Sequence, residues 1–126
     1  ETTNSGFLVN GTVSDSKGNL RSIPKNTKSA NYTLAASDAG KCIFVNAAAT
    51  ITVDDSISPT FSEGDAITIV NHHTAEIQIT QATGMNIYNT SSSALGSKKL
   101  ASRGMATIWF CATDTAYISG AGLTDA

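Results

Sequence analysis

The sequence predicts an all-β fold, a single domain of β-sandwich or jelly-roll type that follows an extended N-terminal arm. Short apolar runs recur about every 8 to 12 residues from Asn31 onward, with turn-forming residues between them. No stretch holds apolar residues at helical spacing over several turns. Only 14% of the residues are charged and 40% are hydrophobic, and Ser, Thr, Asn and Gly supply much of the rest, which favours sheet and turns.

Residues 1–30 are predicted to form the arm, because they are polar and weakly patterned. Their few apolar groups cannot offset the entropy cost of ordering the segment, so we expect the arm to lie against a partner. Pro24 is expected to end any strand there. The arm's apolar patches are the candidate attachment residues, namely Phe7, Leu8, Val9, Leu20 and Ile23.

Residues 31–126 are predicted to form the sandwich, with about eight or nine strands. The candidate strands are Tyr32–Ala35, Cys42–Val45, Ile51–Val53, Ile67–Val70, Ile77–Ile79, Ile87–Tyr88, Leu100, Ile108–Ala112 and Tyr117–Ile118. The stretch from Phe61 to Gln81 is predicted to be a hairpin at the centre of the sheet. Its four isoleucines alternate with other residues and should share one buried face, and they are Ile67, Ile69, Ile77 and Ile79.

The run Ile108–Ala112 is apolar at every position and carries the only tryptophan. A strand with two apolar faces should be covered on both sides. One interpretation is a subunit interface formed by Ile108, Trp109 and Phe110. The other is a strand buried under the N-terminal arm, and the sequence leaves both open.

Net charge and the length of the apolar runs argue against nucleic-acid and membrane partners. The net charge of −2 and the pI of about 5.5 give no basic footprint for nucleic acid, so none is expected as a partner. No apolar run approaches the roughly 20 residues of a membrane helix, and the N-terminus lacks the apolar core of a signal peptide. We therefore expect no membrane partner. Because the chain opens with Glu1, a processed segment or a longer parent is a further expectation.

Residues with catalytic or metal-binding chemistry are few. His72 and His73 are adjacent, so on a strand they would point to opposite faces, and no further ligand has suitable spacing. The acidic residues near residues 54–65 fit solvated turns better than a Ca²⁺ site. No serine nucleophile motif or P-loop is present, so we expect no enzyme activity and no cofactor. Cys42 and Cys111 are expected to be reduced core residues instead of a disulfide.

Five short motifs occur in a specific order along the chain. They are Tyr32–Leu34, Asp38–Lys41, Phe61–Asp65, Arg103–Thr107 and Ile118–Leu123. In this order and spacing, residues 20–123 resemble a β-rich module of tailed-bacteriophage virion structural proteins. Such modules occur in capsid decoration (cement) proteins and in tail or head fibre proteins, and the resemblance carries no catalytic residues.

The resemblance implies a particle component, and a small chain without a shaft favours the decoration role. We therefore expect a homotrimer that binds the major capsid protein and stabilises the phage head. Its location would be the capsid surface of the virion, after assembly in the host cytoplasm. The alternative is a receptor-binding or glycan-binding module of a tail or head fibre, for which exposed aromatic side chains would be the signature. The candidates are Tyr32, Tyr88, Tyr117 and Trp109.

Overall fold

A computed structural model of the chain describes Gly6 and residues 8–126. The described part contains eleven strands and one 3₁₀ turn, Ala36–Asp38, and no α-helix. The strands are β1 Ser14–Asp15, β2 Gly18–Asn19, β3 Lys25–Lys28, β4 Tyr32–Thr33, β5 Cys42–Val45, β6 Thr50–Val53, β7 Ala66–Asn71, β8 Ile77–Gln81, β9 Asn86–Asn89, β10 Lys98–Ala112 and β11 Thr115–Asp125. The all-β prediction is confirmed.

Strands β3 to β11 form one nine-stranded sheet with the order β3-β5-β7-β10-β8-β6-β4, in which β11 pairs with β10 and β9 pairs with β11. The two ends of this order, β3 and β4, are consecutive in the chain and are separated only by residues 29–31. The sheet is therefore nearly closed on itself.

The chain follows the same path three times, as β3–β4, β5–β6 and β7–β8. Strand β5 pairs in parallel with β3 and β7, and β6 pairs in parallel with β4 and β8. A jelly roll is built from antiparallel neighbours, so these parallel pairings do not confirm that part of the prediction.

The predicted central hairpin is wrong, because β7 and β8 do not pair with each other. Both pair antiparallel with β10, β7 along Met105–Trp109 and β8 along Lys98–Leu100. The residues between β7 and β8 carry the chain from one half of β10 to the other. Period-2 alternation shows which face of a strand is buried, but it does not depend on which strand lies next to it. The pattern therefore could not show that β10 lies between β7 and β8.

A single hydrophobic cluster fills the space that the sheet encloses. It includes the four isoleucines of β7 and β8, so their predicted shared burial is confirmed. Phe61 and Phe110 stack there with ring centroids 4.1 Å apart. Burying one such side chain stabilises the fold by about 1.5–3 kcal/mol, so the cluster supplies the main driving force for folding.

Asp38, Lys98 and Asn71, three of the four polar residues buried in the described chain, tie loops to the sheet. Asp38 accepts hydrogen bonds from Tyr32 Oη at 2.6 Å and from the Ala35 backbone N–H at 2.8 Å. Lys98 is fully buried, donates to the Ala94 carbonyl at 2.9 Å and pairs with Asp125 at 3.3 Å. The third group, Asn71, is the last residue of β7, where its pairing with β10 has ended. Each of the three side chains pairs with a backbone polar group or a charge that would otherwise be buried without a partner.

The segment predicted as the arm divides into two parts. Residues 25–28 form β3 and pair with β5, so they belong to the sheet. Residues 8–24 hold the short β1–β2 hairpin, and Lys17 Nζ donates to the Ala39 carbonyl at 2.7 Å, which attaches this part to the body of the domain. Phe7 lies outside the described residues.

Replacing Asn71 with Ala should lower the free energy of unfolding by at least about 2 kcal/mol, because burial would leave carbonyls without a donor. Asn71 Nδ2 donates to the carbonyl oxygens of Ala75, Leu100 and Ala101 at 2.9, 3.0 and 3.1 Å. Urea denaturation measures the change. The matched control is Asn86→Ala, which removes one 3.3 Å bond to the Asp114 carbonyl and should cost less than about 1 kcal/mol. Equal losses in both variants would contradict the structural role of Asn71.

Candidate functional site

The outer face of the sheet is the side of β3, β5, β7, β10, β11 and β9 that points away from the core. Strand alternation places every second side chain there, and the register aligns these side chains in rows that cross the strands. We define three such rows. The apolar row is Phe44, Val70 and Met105; the hydroxyl row is Thr68, Thr107 and Ser119; and the aromatic row is Trp109, Tyr117 and Tyr88.

The apolar row begins with Phe44 and ends with Met105, which is 57% exposed. The ring of Phe44 stacks on His72 with centroids 4.7 Å apart, and Lys25 Nζ lies 4.7 Å from the centroid of Phe44. Arg103 Nη1 donates to the His72 carbonyl at 2.8 Å and lies 2.8 Å from His72 Nδ1. The cationic groups of Lys25 and Arg103 thus lie beside the Phe44 end of the row.

The hydroxyl row separates the other two rows. Thr68 Oγ1 and Thr107 Oγ1 are 3.0 Å apart and share a hydrogen bond across β7 and β10. Ser119 is paired with Thr107 in register on β11 and is exposed. This row therefore presents small, uncharged hydrogen-bonding groups.

The aromatic row crosses β10, β11 and β9. Trp109 is 45% exposed and Tyr117 is 44% exposed, while Tyr88 is half-buried. The rings of Tyr88 and Tyr117 are 5.5 Å apart at an interplanar angle of 28°. On the other side of Trp109 the register partner is Ala66, whose methyl group is too short to cover an indole. The row is the largest group of exposed aromatic surface in the described chain.

The three predicted interface residues do not share one environment. Ile108 and Phe110 are 0% exposed and belong to the core, whereas Trp109 lies on the outer face. The run is apolar at each of these positions because Trp109, which points outward from β10, is itself an apolar residue. Of the three residues, Trp109 is the one that offers surface to a partner.

The structure brings three of the four candidate aromatic side chains together and leaves Tyr32 apart. Tyr32 Oη donates to the carboxylate of Asp38, and Lys28 Nζ lies 4.0 Å from the centroid of its ring. Burial, together with the hydrogen bond and the charge of Asp38, raises the pKa of Tyr32 to about 12. Tyr32 is therefore engaged in holding the 3₁₀ turn.

The predicted attachment residues within the described range are exposed. Leu8 is 86% exposed, Leu20 is 58% exposed and Ile23 is 65% exposed, while Val9 is 39% exposed. Exposure of several large aliphatic side chains in one short segment is unfavourable in water, so this segment has the composition of a contact surface.

Sequence reasoning missed Phe44, Val70 and Met105 as members of one surface. They come from three strands that are far apart in the chain, and only the register shows that they are neighbours. A partial signal was present in β7, where Thr68 and Val70 alternate with the buried isoleucines.

Both cysteines are half-buried, and both thiols are free. Cys42 aligns with Thr68 in the hydroxyl row's register, and burial raises the pKa of its thiol while Lys25 opposes that shift. Cys111 Sγ lies 3.5 Å from the Thr115 carbonyl.

Within Gly6 and residues 8–126, no group of three or more His, Cys, Asp or Glu side chains is placed to hold a metal ion. None of the helical segments in that range has the length and apolar character needed to span a membrane. Comparison with models of known protein families finds no match, and comparison with curated protein sequences finds none either.

Thermal melting should give the same midpoint with and without reductant, because the fold contains no bridge between Cys42 and Cys111 for a reductant to break. A disulfide is typically worth about 2–4 kcal/mol, which corresponds to a shift of several degrees in a domain of this size. Circular dichroism over a temperature ramp measures the midpoint, and the double variant Cys42→Ser, Cys111→Ser is the control for any other effect of the reductant. A midpoint that falls by several degrees on reduction of the natural chain alone would show a disulfide.

Proposed function

We propose that the protein is a non-enzymatic structural component of a tailed-bacteriophage virion, which decorates and stabilises the capsid as a homotrimer. Its partner is the major capsid protein, its place is the capsid surface, and it assembles in the host cytoplasm. The observation that carries the proposal is the apolar row on the outer face of the sheet, in which Met105 is 57% exposed. The motif order in residues 20–123, which resembles virion modules, supports the same role.

The apolar row lies on a part of the sheet where exposure is unusual. Strands β3, β5 and β7 are parallel, and parallel strands are usually covered on both faces. Here the inner face packs on the core, while on the outer face Met105 is 57% exposed and Phe44 and Val70 are half-buried, with His72 and Lys25 against the ring of Phe44. Exposed apolar side chains next to polar ones mark a contact surface. We infer that this row contacts another copy of the chain.

We propose that the sheet forms two layers, as the predicted sandwich requires. One layer consists of β3, β5, β7 and the second half of β10, and the other consists of β4, β6, β8 and the first half of β10. Inward side chains from both layers belong to one hydrophobic cluster, which supports this description.

The N-terminal segment is the proposed attachment to the capsid. Its exposed side chains Leu20 and Ile23 precede β3, an edge strand of the sheet. An apolar segment of this kind is suited to lie along a neighbouring surface or to add a strand to its edge. The chain would thus have two contact surfaces, the apolar row for neighbouring copies and the N-terminal segment for the capsid.

The second candidate function is recognition of a host receptor or glycan by a fibre protein. The observation that favours it is the aromatic row, because Trp109, Tyr117 and Tyr88 lie side by side on one face. Localising the chain on intact virions with an antibody distinguishes the two candidates, since decoration places it on the head and fibre recognition places it on a fibre.

The purified chain should scatter light with three times the mass of one 13.0 kDa chain at micromolar concentration. Met105→Glu should shift it toward the monomer, because the contact would then bury an unpaired charge. The matched control is Leu95→Glu, since Leu95 is 50% exposed and is bridged to Tyr88 at the β9 end of the aromatic row instead of lying in the apolar row. A monomeric natural chain would contradict the trimer, and a trimer that survives Met105→Glu would remove the apolar row from the interface.

Deleting residues 1–24 should abolish binding to particles that lack the native protein while the sheet remains folded, because β3 begins at Lys25. Co-sedimentation measures binding, and light scattering of the truncated chain measures assembly. The double variant Leu20→Ser, Ile23→Ser is a milder test, since both side chains are exposed and their loss should not lower stability.

Undiminished binding by the truncated chain would place attachment on the sheet. Loss of the trimer on truncation would show instead that the N-terminal segment contacts a neighbouring copy.

A further inference from the structure

Three polar side chains meet between the end of β9 and the start of β10, and they belong to Lys98, Asn89 and Asp125. Asn89 is the last residue of β9 and Lys98 is the first residue of β10. Lys98 is fully buried and Asn89 is 4% exposed. A lysine is almost never fully buried, because removing its charge from water is unfavourable. The pair combines an amine, which can act as a nucleophile, with the carbonyl carbon of an amide, which can be attacked by one.

Two oxygen atoms hold Lys98 Nζ next to Asn89. The Ala94 carbonyl accepts a hydrogen bond from Lys98 Nζ at 2.9 Å and another from the Asn89 backbone N–H at 2.9 Å. Asp125 Oδ1 lies 3.3 Å from Lys98 Nζ and accepts a hydrogen bond from Asn89 Nδ2 at 3.1 Å. Lys98 Nζ therefore shares one oxygen with the backbone nitrogen of Asn89 and another with its side-chain nitrogen. The amide carbon Cγ lies between those two nitrogens in the covalent structure of Asn89, so the amine is held beside it.

The orientation of the Asn89 amide is fixed by its hydrogen bonds. The Ser91 backbone N–H donates to Asn89 Oδ1 at 2.9 Å, and because an N–H needs an acceptor, Nδ2 is the atom that faces Asp125. A donor at the carbonyl oxygen stabilises the negative charge that develops there when a nucleophile attacks the carbon. The amide is therefore oriented for substitution at Cγ, with its nitrogen as the leaving group.

Asp125 contacts both the nucleophile and the leaving group. Its Oδ1 lies against Lys98 Nζ and Asn89 Nδ2, while its Oδ2 accepts a hydrogen bond from Ser92 Oγ at 2.6 Å, which fixes the carboxylate. The hydrogen bonds from Ser92 and Asn89 hold the pKa of Asp125 below its usual range, so the carboxylate is ionised at neutral pH and can accept a proton. A group in this position can act first as a general base and then as a general acid.

We propose that Lys98 and Asn89 form an intramolecular isopeptide bond, with Asp125 as the catalytic residue. Asp125 takes a proton from Lys98 Nζ, and the neutral amine attacks Asn89 Cγ. The bond between Cγ and Nδ2 then breaks as the new bond between Cγ and Nζ is completed. Asp125 passes the two protons that Lys98 gives up to Nδ2, one after the other, and the nitrogen leaves as an ammonium ion. No oxidant or reductant takes part, and the inference does not rest on the proposed function.

The burial of the site favours the amine over water as the nucleophile. Attack by water at the same carbon would convert Asn89 to aspartate, and the low exposure of Asn89 and Lys98 limits that competing reaction. Within the described residues, β9 has β11 as its only strand neighbour, so the bond would join β9 covalently to β10. It would do so without a disulfide, in a chain whose two thiols are both free.

Mass spectrometry of the full chain tests the proposal. After several days at physiological temperature, the natural chain should be lighter than its sequence by the mass of one ammonia. Trypsin should no longer cleave after Lys98, because its nitrogen would be an uncharged amide, so the peptide that carries the deficit should cover residues 42–99 instead of 42–98. This location separates the bond from succinimide formation at Asn10, which precedes Gly11 and would also release ammonia.

Variants assign the roles of the three side chains. Asp125→Asn should slow the loss of ammonia by at least about a hundredfold, a typical contribution of general acid–base catalysis. Lys98→Met keeps an unbranched side chain of similar length but has no amine, so it should keep its full mass. The matched control is Lys99→Arg, which changes an exposed neighbour that pairs with Glu76 and should lose ammonia like the natural chain.

Four results would overturn the proposal. A natural chain that keeps its full mass would show that the cluster is only a buried ion pair. A deficit of one water, with residues 104–126 joined to the 42–99 peptide, would place the bond between Lys98 and Asp125 instead. Conversion of Asn89 to aspartate would show that water is the nucleophile. An undiminished deficit in Lys98→Met or in Asp125→Asn would show that the ammonia is lost by another route.

Discussion

The backbone hydrogen-bond ladder of β10 is the interaction on which the rest of the structure depends. One edge of β10 pairs with β11 and the other pairs first with β8 and then with β7, so this strand joins both parallel stacks. The ladder requires a close approach at Gly120, where an added Cβ would lie 2.1 Å from the Met105 carbonyl oxygen. Its register with β11 shifts between Leu100 and Met105, and Arg103 adopts a positive φ of 64° there. Both features place constraints on β10 that side-chain packing alone would not impose.

The sequence predicted burial better than it predicted pairing. Alternation correctly placed Ile67 and Ile69 inside, because a strand with one buried face needs a period of two whatever its neighbours are. Pairing depends on which strands are adjacent, and the same alternation suits a parallel and an antiparallel partner. The connection between β7 and β8 spans residues 72–76, a length that a hairpin loop also has, so it gave no signal against a hairpin.

The candidate site was predictable only where one strand carried it. The run around Trp109 is apolar at every position, which marks it as unusual, and strict alternation along it places Ile108 and Phe110 inside and the indole outside. Phe44, Val70 and Met105 lie on three strands, so no local pattern groups them. The sequence around Tyr32 does not distinguish it from Tyr88 and Tyr117, and only its hydrogen bond to Asp38 shows that it stabilises the fold.

The outer face combines apolar, hydroxyl and aromatic side chains, which limits how a partner can use it. Burying an unpaired hydroxyl is unfavourable, so an apolar contact that extended from Met105 over Thr107 would have to supply hydrogen-bond partners. Thr68 and Thr107 already satisfy each other in part, which lowers that cost at the centre of the row. Beyond them, Trp109 and Tyr117 expose apolar ring surface, and each also carries a polar group, the indole N–H or the phenol hydroxyl. The order apolar, hydroxyl, aromatic therefore favours one dry contact around Met105 and a separate, wetter contact around Trp109 over a single uniform interface.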